Sequence, residues 1–344
     1  MANIAAVTSV KSNQVCPEPR APAIAHVLVC LDRSAFSDAC LPYARFVADA
    51  FGASVTLLHV MPSPDHHEPN RADALGWEIA QREAEHYLSH AKNSLGANPP
   101  RAVTQLTQGF PAERIVGVAR EIGADLTILA SRGEGGEWAP DLGSTAQRVL
   151  GLATGSILLT RATSSACIPP RRILVPLDGS PRGECVLPLA VDLARLHGAE
   201  VLLAHVVTEP TSTAVLSDPH DMELAVTLAS RLQEKAERYL TLMRDRLLVE
   251  IRVVETLVVR RSEERQALVD VAAQYGADML ALTAHGSTCN VERRFGSVAS
   301  FLLAHARMPV FVLQDMPQGP VERVPGHVAS VPPVALEARP LEWE

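Results

Sequence analysis

Two groups of residues able to do chemistry occur twice along the chain. The first is an aspartate followed two positions later by a serine, Asp32-Arg33-Ser34 and Asp178-Gly179-Ser180, each directly after a short apolar run. The second is a glycine pair with a serine after its second member: Gly133, Gly143 and Ser144, then Gly286, Gly296 and Ser297. An aspartate at a strand end can accept hydrogen bonds from ribose hydroxyls. Glycine followed by serine at a helix start presents free N–H groups and a hydroxyl, the donor set a phosphate needs. The aspartates also have a simpler use, as caps of the helices that follow them.

Other candidates carry less. His59 and His205 fall at strand ends and read as packed polar residues. Asp65-His66-His67-Glu68 has metal-ligand composition, but adjacent residues between Pro64 and Pro69 rarely converge on one ion. Cys289 lies near Arg293 and Arg294, which lower a thiol pKa, yet it reads as an inert loop cysteine. In Gly179-Ser180-Pro181-Arg182-Gly183 the serine stands one position too early for a nucleophile elbow. No serine–histidine–aspartate or paired-carboxylate arrangement assembles, so an enzyme is not expected.

The elements that must position these residues come as a duplication. VLVCLDRS, starting at Val27, aligns with ILVPLDGS, starting at Ile173, at an offset of 146. QREAEHYL from Gln81 matches QEKAERYL from Gln233 at 152, and Gly123-Ala124-Asp125 matches Gly276-Ala277-Asp278 at 153. The drift belongs to the segment after the second strand of copy two, rich in Pro, Ser, Thr and Asp, where insertions cost little.

Each copy alternates strand and helix. Nearly all-apolar runs at 27–31 and 173–177 predict strands buried on both faces of a parallel sheet. Helices follow over 37–51 and 184–197, stopped by Gly52 and Gly198; Pro42 and Pro188 fit only in a first turn. Further strands are expected at 54–60, 102–107, 126–130 and 157–160, and at 200–207, 251–259, 279–283 and 310–313. Long helices are expected at 72–95 and 221–246, short ones at 111–122 and 262–275, and last ones from 143 and 296. The fold class is α/β: two tandem doubly wound domains, each a five-stranded parallel sheet. In such sheets ligands bind beyond the carboxyl ends of the strands, at the switch in strand order.

Composition narrows the function. The chain has 344 residues with 31 basic and 39 acidic side chains, a net charge of −8, without the footprint of a general nucleic-acid binder. Its lysines are Lys11, Lys92 and Lys235, none near a glycine-rich loop, which excludes a Gly-Lys-Ser phosphate loop. Six cysteines without a Cys-x-x-Cys pair read as reduced and mostly buried. No apolar run is long enough for a membrane helix. The first residues lack the basic start of a signal peptide, so the expected compartment is the cytoplasm. The expected organisation is a disordered segment over 1–23, domains over 24–162 and 171–314, and a proline-rich disordered tail over 315–344.

VPLDGS ending at Ser180, Ala124-Asp125-Leu126 before the fourth strand, and the spaced glycines together resemble the universal stress protein family in its tandem form. The family's nucleotide-binding members carry Gly-x2-Gly-x9-Gly-Ser/Thr after that strand. Copy one has Ala130 and copy two Thr283 at the first glycine; both keep the rest. The resemblance implies an adenine-nucleotide-hydrolase-like fold packed as a pseudo-dimer through 157–160 and 310–313, strands that would also serve a homodimer. It implies ATP, with or without Mg2+, as ligand and unknown regulatory proteins as partners. Copy two would use Pro176, Asp178, Val206, Gly286, Gly296 and Ser297. Copy one would use Asp32, Val60, Gly133, Gly143 and Ser144, with Cys30 in place of the proline. Glu134, Glu137 and Asp141 in the copy-one loop repel phosphate, whereas Arg293 and Arg294 make copy two the better site. The implied function is a stress-response regulator binding ATP with slow or no hydrolysis. The alternative is an interaction protein of the same fold without nucleotide.

Overall fold

A computed structural model of the chain describes residues 23–62, 74–96, 101–133, 142–161, 169–209, 219–288 and 292–316. The expected disordered tails beyond these limits and most of the stretch between the two expected domains lie outside the described residues. The first domain runs β1 (His26–Leu31), α1 (Ala35–Asp38), α2 (Cys40–Phe51), β2 (Ser54–Met61), α3 (Ala74–Ser94), β3 (Ala102–Gln108), α4 (Pro111–Glu121), β4 (Leu126–Ala130), α5 (Ser144–Leu152) and β5 (Ser156–Thr160). The second runs β6 (Arg172–Pro176), a 3-10 turn (Gly183–Val186), α6 (Leu187–His197), β7 (Glu200–Thr208), α7 (Pro219–Leu247), β8 (Val254–Arg261), α8 (Glu264–Gln274), β9 (Met279–Thr283), α9 (Ser297–His305) and β10 (Val310–Leu313).

Each domain is the expected five-stranded parallel sheet, in the order β3-β2-β1-β4-β5 and its repeat. The two sheets are one. Strand β10 pairs antiparallel with β5, Phe311 opposite Leu158, so ten strands among the described residues form a continuous sheet. The pseudo-dimer is therefore intramolecular. This corrects the homodimer through 157–160 and 310–313: each of those edges is already occupied by the other, leaving β3 and β8 as the outer edges.

Local chemistry explains where the elements begin and end. The helix expected over 37–51 is broken at Ala39, and the one expected over 184–197 opens as a 3-10 turn. In consequence Pro42 and Pro188 both fall in first turns, where a missing N–H costs nothing. Gly52 and Gly198 end α2 and α6 at φ 63° and 69°, a left-handed conformation glycine adopts without strain. Strand β8 starts later than expected, because Ile251 still belongs to the exit from α7, its N–H on Leu247 O at 3.0 Å.

Both faces of the sheet are covered, and both cores cross the seam. One contains Val29, Phe46, Leu158, Leu203 and Phe311, and the other Leu28, Val149, Leu159, Leu280 and Val312. Across the seam α2 meets α6: the Phe46 and His197 rings lie 4.3 Å apart, and His197 Nε2 donates to Phe46 O at 3.1 Å. Buried Arg161, just past β5, donates to Leu303 O near the end of α9 at 2.5 Å. Burial, then the charge of Arg132, pushes its guanidinium down to about 10. Asp315, expected as the first residue of the tail, is fully buried and belongs to the second domain.

Phe311 is fully buried at this seam. Phe311→Ala is expected to lower the unfolding free energy by about 3–5 kcal/mol in urea denaturation. Both domains should still unfold in one transition, and a loss under about 1 kcal/mol would show that the seam does not depend on the ring.

Candidate functional site

The site opens where neighbouring strands part. Strand β1 pairs with β4 only as far as Val29, and β6 with β9 only as far as Leu174. Beyond those points Cys30, Leu31 and Pro176 pair with the second strand of their own domain. The crevice thus sits at the switch in strand order, with Asp32 or Asp178 at its lip. His59 Nδ1 bonds Leu31 O at 2.8 Å and His205 Nδ1 bonds Leu177 O at 2.7 Å, tying the second strand to the residue before each aspartate. One position on, Val60 is half-buried and Val206 buried, both in the second core.

The aspartates do not cap the helices: in domain one the cap of α1 is Ser34, and in domain two Ser180 meets the first residue of the 3-10 turn, whose own N-cap residue, Arg182, makes no side-chain cap. Ser34 Oγ accepts from Ser37 N at 3.1 Å, and Ser180 Oγ accepts from Gly183 N at 3.1 Å. Each aspartate holds its serine. Asp178 Oδ1 accepts from Ser180 N at 3.0 Å and Oγ at 2.6 Å, and Asp32 Oδ1 accepts from Ser34 N at 3.1 Å and Oγ at 2.5 Å. The turn between them is left-handed, with Gly179 at φ 78° and Arg33 at φ 71°. For Arg33 that conformation costs about 1–2 kcal/mol, which glycine avoids.

The second carboxylate oxygen reaches the glycine loop. Asp178 Oδ2 accepts from Ser287 N at 2.6 Å, and a Cβ on Gly286 would lie 2.4 Å from it. In domain one a Cβ on Gly133 would lie 2.1 Å from Asp32 Oδ2. The two motifs read as separate ligand contacts are therefore in contact with each other. Burial raises the Asp178 carboxyl, but the donors of Ser180 and Ser287 outweigh it and hold it below its ordinary value. Glu264, opening α8, is pushed up by burial and then by the Asp178 charge.

The loop closes on itself before its helix starts. Gly143 N donates to Ser131 O at 2.8 Å, and Gly296 N donates to Ala284 O at 2.7 Å. A Cβ on Gly296 would come within 3.2 Å of that carbonyl. Helices α5 and α9 then begin at exposed Ser144 and Ser297, without a side-chain cap at Gly143 or Gly296. In domain two the exposed Arg293 and Arg294 precede this helix start. Thr283, in place of the first glycine, is buried and donates from Oγ1 to His285 O at 2.7 Å.

Sequence reasoning missed a buried network behind this loop. His285 Nδ1 lies 3.0 Å from Asp315 Oδ1, its backbone N–H donates to the same oxygen at 3.1 Å, and its Nε2 lies 2.9 Å from Arg293 O. Arg182 pairs with the other Asp315 oxygen. The one available signal was that copy one has Arg132 and Phe36 where copy two has His285 and Arg182.

The comparisons with known proteins agree with this architecture. The model of the universal stress protein family matches residues 24–161 and again 170–314. The chain belongs to the universal stress protein family. A universal stress protein of Mycolicibacterium smegmatis is 26% identical over 302 residues, covering 84% of this chain and 96% of that one. A shorter one from Thermus aquaticus is 33% identical over 137 residues, 39% of this chain and 97% of its own. The crystal structure of a universal stress protein from Archaeoglobus fulgidus superposes with a TM-score of 0.59 at 16% identity, covering 84% and 98% of the two chains, a likeness of fold.

Within this universal stress protein Glu134, Glu137, Asp141, Cys289 and the 65–68 cluster lie outside the described residues. Among the described residues no group of His, Cys, Asp or Glu is placed to hold a metal, and no helix is long and apolar enough to cross a membrane.

The aspartate–glycine contact predicts non-additive losses. Gly286→Ala and Gly133→Ala should each cost about 1–3 kcal/mol of stability. In Asp178→Ala/Gly286→Ala the glycine penalty should shrink, with a coupling of about 0.5–3 kcal/mol in a double-mutant cycle; simple additivity would refute the contact. The depressed Asp178 carboxyl adds a pH signature. Its contribution is complete above the ordinary value of 3.8 and is lost as pH falls through the lower folded value. The stability gap between wild type and Asp178→Asn should accordingly close in acid urea titrations.

Proposed function

We propose that this stress-response protein is a regulatory module that binds ATP in domain two. The observation that carries the reading is the start of α9: Gly296 gives its first turn no side-chain cap, Ser297 opens it exposed, and the exposed Arg293 and Arg294 precede it closely in the chain. That donor set fits phosphate. The close approach of Gly296 to the Ala284 carbonyl leaves backbone, not side chain, along the loop.

Gly286, Gly296 and Ser297 would hold the phosphates, Asp178 the ribose, and Pro176 and Val206 the base. Asp178 would give up the Ser287 N–H for ribose hydroxyls, so that occupancy and loop position are linked. Bound ATP supplies the charge and the differential affinity, with Mg2+ as its companion where present. Domain one offers the same backbone through Asp32, Val60, Gly133, Gly143 and Ser144. Its loop carries Glu134, Glu137 and Asp141, so we rank it second.

Hydrolysis in this reading is slow or absent. The nearby histidine–carboxylate pair, His285 and Asp315, has both ring nitrogens engaged and offers no free lone pair as a base. The second reading is an interaction protein without nucleotide. It is favoured by Thr283 at the first glycine position and by the occupation of both Asp178 oxygens by the chain itself.

A fluorescent ATP analogue titrated into the full chain separates the two. Saturable binding is expected, lost in Asp178→Ala and Gly286→Val and kept in Gly133→Val, with circular dichroism confirming each fold. No binding at millimolar nucleotide sinks the ATP reading, and binding that survives both domain-two variants moves the site elsewhere.

A further inference from the structure

The hydrogen bonds of His285 pose a problem of proton count. Nδ1 faces Asp315 Oδ1 at 3.0 Å and Nε2 faces Arg293 O at 2.9 Å. A carbonyl oxygen can only accept, and so can an ionised carboxylate. A neutral imidazole has a single N–H, so it satisfies one of these contacts and sets a lone pair against the other. At 1% exposure the ring is out of reach of bulk water, so the mismatch is costly. With Asp315 held ionised by its pairing with Arg182, both contacts are satisfied together only by the imidazolium.

We propose that His285 is a proton-operated latch on the glycine loop of domain two. The ring stands beside Gly286, where the loop begins, and holds the carbonyl of Arg293, near where it ends. Protonated, it pins both ends of the loop to Asp315, the residue that closes the second domain beyond β10. Deprotonated, it releases one of them. As control of nucleotide binding the latch rests on the reading above; as a property of the loop it stands alone.

The surroundings set the direction. Asp315 faces the ring from beyond β10, Arg182 from the segment after β6, and Arg293 through its carbonyl; Cys185, on the 3-10 turn, faces the Asp315 carboxylate. Burial lowers the His285 pKa and Arg182 opposes the cation, but Asp315 and the Arg293 carbonyl outweigh both and raise it. Asp315 keeps its charge: burial works against it, and His285 and Arg182 hold its carboxyl below the ordinary range. A raised folded pKa means the latch is fully engaged below the ordinary value of 6.5 and is lost as pH rises through the higher folded value. Domain one has no counterpart, with Arg132, Phe36 and Ala162 at the equivalent positions.

Nitrogen-15 NMR of the histidine rings in the nucleotide-free full chain tests the latch. His285 should show both ring nitrogens protonated at pH 6.5, where an ordinary histidine is half-titrated. Protection of the Gly286, Ser287 and Gly296 amides from hydrogen exchange should fall several-fold as the ring deprotonates, while Gly133 and Gly143 stay level. His285→Gln should hold the low protection at every pH. A neutral ring at pH 6, or loop protection indifferent to its titration, overturns the proposal. The wild-type titration decides the matter if His285→Gln does not fold. With the fluorescent ATP analogue, affinity should weaken several-fold as the ring deprotonates in wild type and stay flat in His285→Gln. A pH-independent affinity in wild type overturns the control of binding. Absence of any binding sinks the ATP reading instead, and the NMR result then judges the latch by itself.

Discussion

Strand β5 has β4 of its own domain on one side and β10 of the next, running the other way, on its other side. That antiparallel pairing organises the molecule. Two five-stranded parallel sheets each have an open edge at the fifth strand, and an unpaired edge invites association with other chains. Duplication supplies the matching edge on the same chain, where the pairing is intramolecular and independent of concentration. Everything with candidate chemistry then lies on strand ends set by this sheet, in two crevices related by the pseudo-twofold between β5 and β10.

Symmetry of the backbone has not kept the two sites alike. Both domains press an aspartate against a loop glycine, so the contact belongs to the architecture rather than to one copy. Around it they diverge. The first domain accepts a left-handed arginine at position 33, where the second uses Gly179. The second adds the buried Arg182–Asp315–His285 group and exposed arginines ahead of α9. One copy keeps the scaffold at some conformational cost, and the other invests buried charge behind its loop.

Much of the fold was legible because it is written in local patterns. Apolar runs such as 27–31, the glycine stops at Gly52 and Gly198, and the repeated LDxS motif suffice for two parallel α/β units. The prolines at 42 and 188 marked first turns correctly, though not the break at Ala39 that puts one of them there. The site was legible as a set of residues but not as an arrangement. Asp178 and Gly286 each had a ready explanation in terms of a ligand, so nothing pointed to their touching across more than a hundred positions. His285 was harder still. The network it belongs to joins three separate segments, and Asp315 follows the last apolar run, where no periodicity announces a buried charge.

Helix α9 has its two ends in different hands. Its first turn opens beside the domain-two glycine loop, while the carbonyl of Leu303 near its far end is held by Arg161, a residue of the other domain. This makes the gene fusion hard to reverse. A second domain cut free would carry a bare β10 edge and a helix end missing its cation, and a freed first domain would bury or expose Arg161 without its acceptor. Each half has thus come to complete the other, and neither would be whole as a single domain without changes at β5, β10 and Arg161.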